Sequence, residues 1–397
     1  MSAELEILVH LLIIFAAAKI FSEIFTRIKQ PVVIGELIAG AVIGAHGLGL
    51  VGSTHVNDAI AELGVIFLLF LVGLETRMDD MREVGRPAIL VGFFGVLIPL
   101  IMGYVLYTLF GYDSIHSLFM GTALVATSIG ITARVLGDMG ILNHRTSRII
   151  LGAAILDDIL GLLVLALVTS LAKGGFNYVE FIILLVEAVL FVLFLTTFGP
   201  KLAGRHIHKF IDRLRISDAP FAIGIVLVLG LSVLAEYIGL AAIIGAFLAG
   251  IVLSETKDFL DLEEKFQPVG NLLIPIFFVV MGTKFDIFGL FSPQTLFLLI
   301  LTFVVAVASK MIGSAIGTIG LGLKTQLQTG IGMVPRGEVG IVVGTIGLSA
   351  GVIGKDLYGI VLGMSILTTV VVPPLLSLVF RNEKTTMKKT TDAKIIM

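Results

Sequence analysis

Residues Gly152–Val168 read GAAILDDILGLLVLALV, an apolar run that with its flanks can cross a bilayer, yet carries Asp157 and Asp158 side by side. A transmembrane helix needs about 20 apolar residues. One Asp at mid-membrane costs about 2.5–3.5 kcal/mol on insertion scales, so two in succession call for compensation. A single intramembrane polar group often only ties helices together by hydrogen bonds, whereas an Asp pair points to an ion or proton site. Adjacent helical residues point about 100° apart. One carboxylate can therefore meet a cation on another helix while the other lines a cavity.

The surroundings of this run are equally apolar. The 397 residues are 57% hydrophobic and 14% charged, against about 25% charged in a soluble domain, which makes this a polytopic α-helical membrane protein. Cysteine is absent, so disulfides and thiolate metal sites are excluded. The net charge is −2 and no basic stripe with interleaved aromatics occurs, so no nucleic-acid partner is expected. HExxH is missing, and no other span offers a mid-membrane Asp for aspartyl proteolysis. The chain is therefore expected to be a transporter and not an enzyme. The run Ile7–Phe25 lacks a basic start and a small-residue cleavage site and reads as a retained helix. The lack of a targeting segment leads to the expectation of a prokaryotic plasma membrane.

Thirteen spans are expected, at about 5–25, 32–50, 58–75, 87–110, 116–137, 149–172, 178–199, 219–236, 239–254, 267–283, 293–321, 327–349 and 357–380. The 36 residues Ala219–Ser254 are too long for one crossing at about 1.5 Å per residue. Glu236, Tyr237 and Gly239 mark a hairpin there. With the N-terminus outside, twenty of the 27 Lys and Arg fall in inside loops or the cytoplasmic C-terminal tail and three outside, the asymmetry of the positive-inside rule. The loop Pro200–Ala219 and the tail 381–397 read as solvated faces.

Charges inside other spans supply the partners. Lys310 lies about 17 residues into a span starting near Pro293, within Val305–Gly317, VAVASKMIGSAIG. A Lys near a span end usually snorkels to the interface; one this deep is the natural cation for Asp157 or Asp158. The twelfth span contains Thr329–Val343, TGIGMVPRGEVGIVV. Pro335 and Gly337 loosen the helix, and Arg336 and Glu338 suggest more than a proline kink: an unwound segment lining a cavity. Glu338 then falls at the N-terminus of the second half-helix and Arg336 near the C-terminal end of the first, each favoured by the local dipole. The fifth span, Gly121–Leu136, GTALVATSIGITARVL, clusters Thr127, Ser128, Gly130 and Thr132. Such residues commonly bond back to their own helix. Spans 5 and 12, however, are seven apart and so run in opposite directions, as do 4 and 11, and 6 and 13. That is the pattern of an inverted repeat with two interrupted helices, the usual pointer to a transport site. Glu36, Glu62, Glu75 and Glu187 carry less: Glu62 and Glu75 flank span 3, where charges reach water cheaply. The seven His fall near span ends or in loops.

These residues carry a resemblance. Gln30–Gly40 (QPVVIGELIAG), Val65–Glu75 (VIFLLFLVGLE), Ala126–Leu136 (ATSIGITARVL), Leu156–Gly161 (LDDILG) and Gly332–Gly340 (GMVPRGEVG) resemble the monovalent cation/proton antiporter-2 family, and within it the NapA-type sodium/proton antiporters. Kef-type potassium efflux proteins share the framework, but typically carry Gln-Asp in place of Asp157-Asp158 and a nucleotide-binding domain after the last span, where this sequence ends at Met397.

The resemblance implies an NhaA/NapA-like fold with two crossed discontinuous helices. It implies that Asp158 binds Na⁺ or H⁺ alternately, with Asp157 beside it in the metal site, and that Asp157 pairs with Lys310. Thr127 and Ser128 would lie at the crossing, where Glu338 and Arg336 compensate helix charge. A transport core (about 87–172 and 293–380) would move like an elevator against a dimerising scaffold (about 1–80 and 219–283), with 178–199 as linker helix. The expected activity is electrogenic exchange of Na⁺ or Li⁺ for H⁺ by a homodimer serving pH homeostasis, with no cofactor and with the bilayer as its setting. A K⁺/H⁺ exchanger on the same scaffold is the alternative, and a cation channel a remoter one.

Overall fold

A computed structural model describes residues 3–28, 30–52, 54–76, 85–172, 178–199, 218–254, 261–284 and 293–381. Their regular structure is all helical, with no strand among the described residues. In chain order the helices are α1 (Ala3–Arg27), α2 (Val32–Ile43), α3 (His55–Glu75), α4 (Gly85–Leu109), α5 (Ser114–Val125), α6 (Ile129–Asp138), α7 (Arg145–Ala172) and α8 (Tyr178–Thr197). They continue with α9 (Ala219–Tyr237), α10 (Ala242–Ser254), α11 (Leu262–Thr283), α12 (Pro293–Gly317), α13 (Leu323–Gly332), α14 (Gly337–Ser349) and α15 (Lys355–Val379). Among the described residues nine helices, with Ser114–Asp138 counted as one, are long and apolar enough to cross a membrane. Four shorter apolar helices accompany them, including Val32–Ile43 and Ala242–Ser254. Helices dominate because each satisfies its own backbone hydrogen bonds, which lipid cannot do.

The expected hairpin within Ala219–Ser254 is present, its corner at Gly239 with φ +82°. Two spans are shorter than expected. The second ends at Ile43, not near residue 50: Gly44 and Gly47 let the chain turn back, with Leu48 N–H donating to the Val42 carbonyl at 2.7 Å. The eleventh ends at Gly317, before Gly320 and Gly322 at φ +90° and +91°. Apolar composition marked both extensions as membrane, and backbone freedom ended them first. Most of the loop Pro200–Ala219 and the tail after residue 381 lie outside the described residues.

The chain divides into two units. The first comprises Met1–Arg27, Gly35–Glu83 and Gly175–Asp286. Its helices touch backbone to backbone: a Cβ added at Gly40 of α2 would strike the Val279 carbonyl of α11. One at Gly250 of α10 would strike the Phe70 carbonyl of α3. Lipid gives little hydrophobic drive for helices to associate, so such close contact supplies dispersion instead. Buried here is Glu36, whose Oε1 accepts from Ser22 Oγ at 3.3 Å.

The second unit comprises Ile28–Ile34, Val84–Gly174 and Ile287–Met397. It runs long helix, broken helix, long helix twice over, as α4, α5–α6, α7 and again as α12, α13–α14, α15. One end is packed around Tyr107, Phe119, Met120, Leu357 and Met364. Tyr107 shares its buried hydroxyl with Thr302 Oγ1 of α12 at 2.8 Å. Asp113 caps α5, accepting from His116 N–H at 2.9 Å. That bond, with the His116 ring beside it, holds the Asp113 carboxyl below its ordinary range.

Candidate ion-binding site

The site begins with two missing helical turns in the second unit. Between α5 and α6, residues Ala126–Ser128 are extended, and between α13 and α14 the helix is absent from Val334 to Arg336. Each break strands carbonyls on one half-helix and N–H groups on the other. The breaks satisfy one another. Ser128 N–H donates to the Pro335 carbonyl at 2.7 Å, and Thr132 Oγ1 donates to the Gly332 carbonyl at 2.7 Å. Thr127 Oγ1 makes longer contacts with the Met333 and Val125 carbonyls, at 3.4 and 3.5 Å. Gly337 is held at φ +46°, where a Cβ would come within 2.6 Å of Ser128 Oγ. A side chain there would drive the two strands apart.

The charges gather around this crossing. Asp157 of α7 is 1% exposed and Lys310 of α12 is 0% exposed, and their Oδ1 and Nζ atoms lie 2.5 Å apart. Of the two acidic candidates, Lys310 therefore meets Asp157. Asp158 is partly exposed and within electrostatic reach of Lys310. Asp157 Oδ2 has no hydrogen-bond partner among the described residues, and the Thr127 hydroxyl lies near this carboxyl.

Arg336 is fully buried. It caps the start of α14 rather than the end of α13, yet its side chain reaches back. Nη1 lies 3.5 Å from the Met333 carbonyl and Nη2 donates to the Ala306 carbonyl of α12 at 3.0 Å. Its own N–H donates to Thr368 Oγ1 of α15 at 3.2 Å. Glu338 is the second residue of α14, and its side chain lies outside the described residues. The structure thus gathers Asp157, Lys310, Thr127, Ser128 and Arg336, with Asp158 adjacent. Thr368 and the Ala306 carbonyl were not among the candidates. The adjacent Thr368 and Thr369 in an apolar span were the available signal for the first, and a backbone carbonyl leaves none.

Interrupted helices that cross through hydrogen bonds, over a buried ion pair, are the usual pointer to a transport site. The family described as "Sodium/hydrogen exchanger, transmembrane" matches residues 11–381. This chain belongs to that family. The expectation of a monovalent cation/proton antiporter is met at this level, and with it that of a multi-pass membrane protein and secondary transporter. The chain is 35% identical over 374 residues to a probable Na⁺/H⁺ antiporter, GerT, of Bacillus cereus, covering 94% of this chain and 98% of the relative. It is 32% identical over 388 residues to the Na⁺/H⁺-K⁺ antiporter GerN of the same species, covering 97% and 99%. Among solved structures, the sodium proton antiporter MjNhaP1 of Methanocaldococcus jannaschii aligns with TM-score 0.66 at 17% identity over 97% of this chain and 98% of that one. At that identity the exchanger shares its fold with MjNhaP1; residue roles do not transfer.

Proposed function

We propose that this exchanger is a sodium/proton antiporter in which Asp158 binds Na⁺ and H⁺ in alternation while the Asp157–Lys310 pair opens and closes. One observation carries the proposal: a fully buried carboxylate–ammonium pair beside a second, partly accessible carboxylate at a crossing of half-helices. Oxygen ligands suit a hard alkali cation. Asp158, and Asp157 once Lys310 has left it, supply them, with the Thr127 and Ser128 oxygens close by. Cation and proton compete for the same carboxylate, which couples the two fluxes.

With Lys310 as second proton carrier, two protons exchange for one Na⁺ and one net charge moves per cycle, worth about 2.3 kcal/mol per 100 mV. An inside-negative membrane then drives Na⁺ out and serves pH homeostasis. The second unit, which holds the whole site, moves as an elevator against the first, which dimerises. Thirteen spans with the N-terminus outside and the C-terminus cytoplasmic agree with the Lys and Arg distribution. A potassium/proton exchange on the same scaffold is the second reading, favoured by the similarity to GerN, a Na⁺/H⁺-K⁺ antiporter.

The test is Na⁺-dependent dissipation of a pH gradient in proteoliposomes, wild type against Asp158→Asn. Na⁺ or Li⁺ collapses the gradient in wild type, faster when a potential is imposed, and fails to do so in the variant, which has lost the carboxylate that both ions share. Response to K⁺ alone would replace the substrate, rates indifferent to potential would remove the stoichiometry, and full exchange by the variant would remove Asp158.

A further inference from the structure

The helix α4 carries no charge near the pair, yet it is locked against both helices that do. A Cβ added at Gly92 would sit 2.9 Å from the Ala153 carbonyl oxygen and 3.0 Å from Leu156 Cβ, both on α7. A Cβ at Gly313 of α12 would strike the Phe94 carbonyl of α4. Between these contacts lies Gly95, and what it faces is different in kind. A Cβ there would lie 3.3 Å from Asp157 Oδ1 and 3.6 Å from Lys310 Nζ. The ion pair therefore rests against bare backbone.

That backbone has a second property. Pro99 stands inside α4, four residues after Gly95. Proline has no N–H, so the Gly95 carbonyl lacks its ordinary intrahelical donor. On the other side of the gap, an ammonium has three donors, and the bond found for Lys310 Nζ uses one of them, on Asp157 Oδ1. A buried ammonium that leaves its carboxylate needs another acceptor, because an unpaired buried charge is very costly.

We propose that Gly95, freed by Pro99, is a positioning residue: it makes α4 the surface that receives the Lys310 ammonium when it leaves Asp157. This rests on the exchange proposed above, in which that pair opens. The missing Cβ lets the ammonium approach and the released carbonyl accepts it. The ammonium then stays paired while Asp157 turns to the cation.

Two substitutions test this through different atoms. Gly95→Ala puts a methyl against the pair, and Pro99→Ala returns an N–H to the Gly95 carbonyl. Each holds the ammonium on Asp157 and raises the Na⁺ concentration for half-maximal exchange about tenfold, the scale of one hydrogen bond to a buried charge. Pro99→Ala does so without lowering the unfolding temperature, since it repairs a helix. Gly92→Ala, which overlaps only neutral packing, lowers the unfolding temperature and leaves the Na⁺ dependence in place.

In a Lys310→Gln background both shifts vanish. If that background no longer transports, the Na⁺-induced rise in unfolding temperature reads the same affinity. Unmoved Na⁺ dependence in both single variants, or equal shifts with and without Lys310, would overturn the proposal. A wild type that never responds to Na⁺ sinks the exchange reading and this inference with it. A responding wild type with unmoved variants sinks this inference alone.

Discussion

The break between α13 and α14 brings Pro335, Arg336 and Gly337 to the crossing, whereas the break between α5 and α6 brings Ala126, Thr127 and Ser128. Both strand backbone groups in the buried interior of the second unit. The first is built from residues that cannot continue a helix comfortably, and it carries a guanidinium that reaches the Met333 and Ala306 carbonyls. The second contains nothing that forbids a helix; Thr and Ser are merely indifferent ones. It stays open because its partner does, trading the Ser128 N–H and the Thr132 hydroxyl for the Pro335 and Gly332 carbonyls. One break is thus made by its own sequence and the other is held by the first.

That asymmetry has energetic consequences, and Arg336→Leu probes the largest. The change removes the donor to the Ala306 carbonyl, a longer contact with the Met333 carbonyl and a positive charge near Asp157. Breaking a buried charge interaction from one side costs about 3–5 kcal/mol. The expected outcome is a large fall in the unfolding temperature of the detergent-solubilised protein, recovered in part by Arg336→Lys, which restores the charge without the planar fork. A mild effect would mean that the second break holds itself open unaided. Next is Gly337→Ala. Its Cβ would lie 2.6 Å from both Ser128 Oγ and Cβ, at a φ of +46°. Left-handed strain alone costs about 1–3 kcal/mol, and the overlap presses on the uncharged break. Exchange should fall along with thermal stability, whereas Gly351→Ala, at φ +68° with open space around it, lowers stability alone.

The same asymmetry explains what could be read in advance. Pro335 and Gly337 flanking Arg336 announced the charged break, because each residue acts locally on the backbone. Asp157 and Lys310 announced themselves by their cost in an apolar run, and a cost demands a partner. The uncharged break at Thr127–Ser128 was legible only through its position seven spans away, since its cause lies on another helix. Gly95 gave no signal by itself: its importance comes from what α7 and α12 place against it. The early end of the second span was missed for the opposite reason, as glycine backbone freedom overrode an apolar composition.

The smallest expected effect isolates the bond that ties the uncharged break to the charged one. Thr132→Val keeps the side-chain shape and removes the hydroxyl that donates to the Gly332 carbonyl at 2.7 Å. The carbonyl ends a half-helix and is buried, so losing its partner costs about 1 kcal/mol. Thr127→Val removes contacts of 3.4 and 3.5 Å, too long to contribute much by hydrogen-bond geometry. Unfolding temperatures should therefore fall further for Thr132→Val than for Thr127→Val. Transport should rank the other way, because Thr127 lies beside Asp157. If Thr132→Val were as damaging as Arg336→Leu, the uncharged break would be holding the charged one, and the order of dependence between them would have to be reversed.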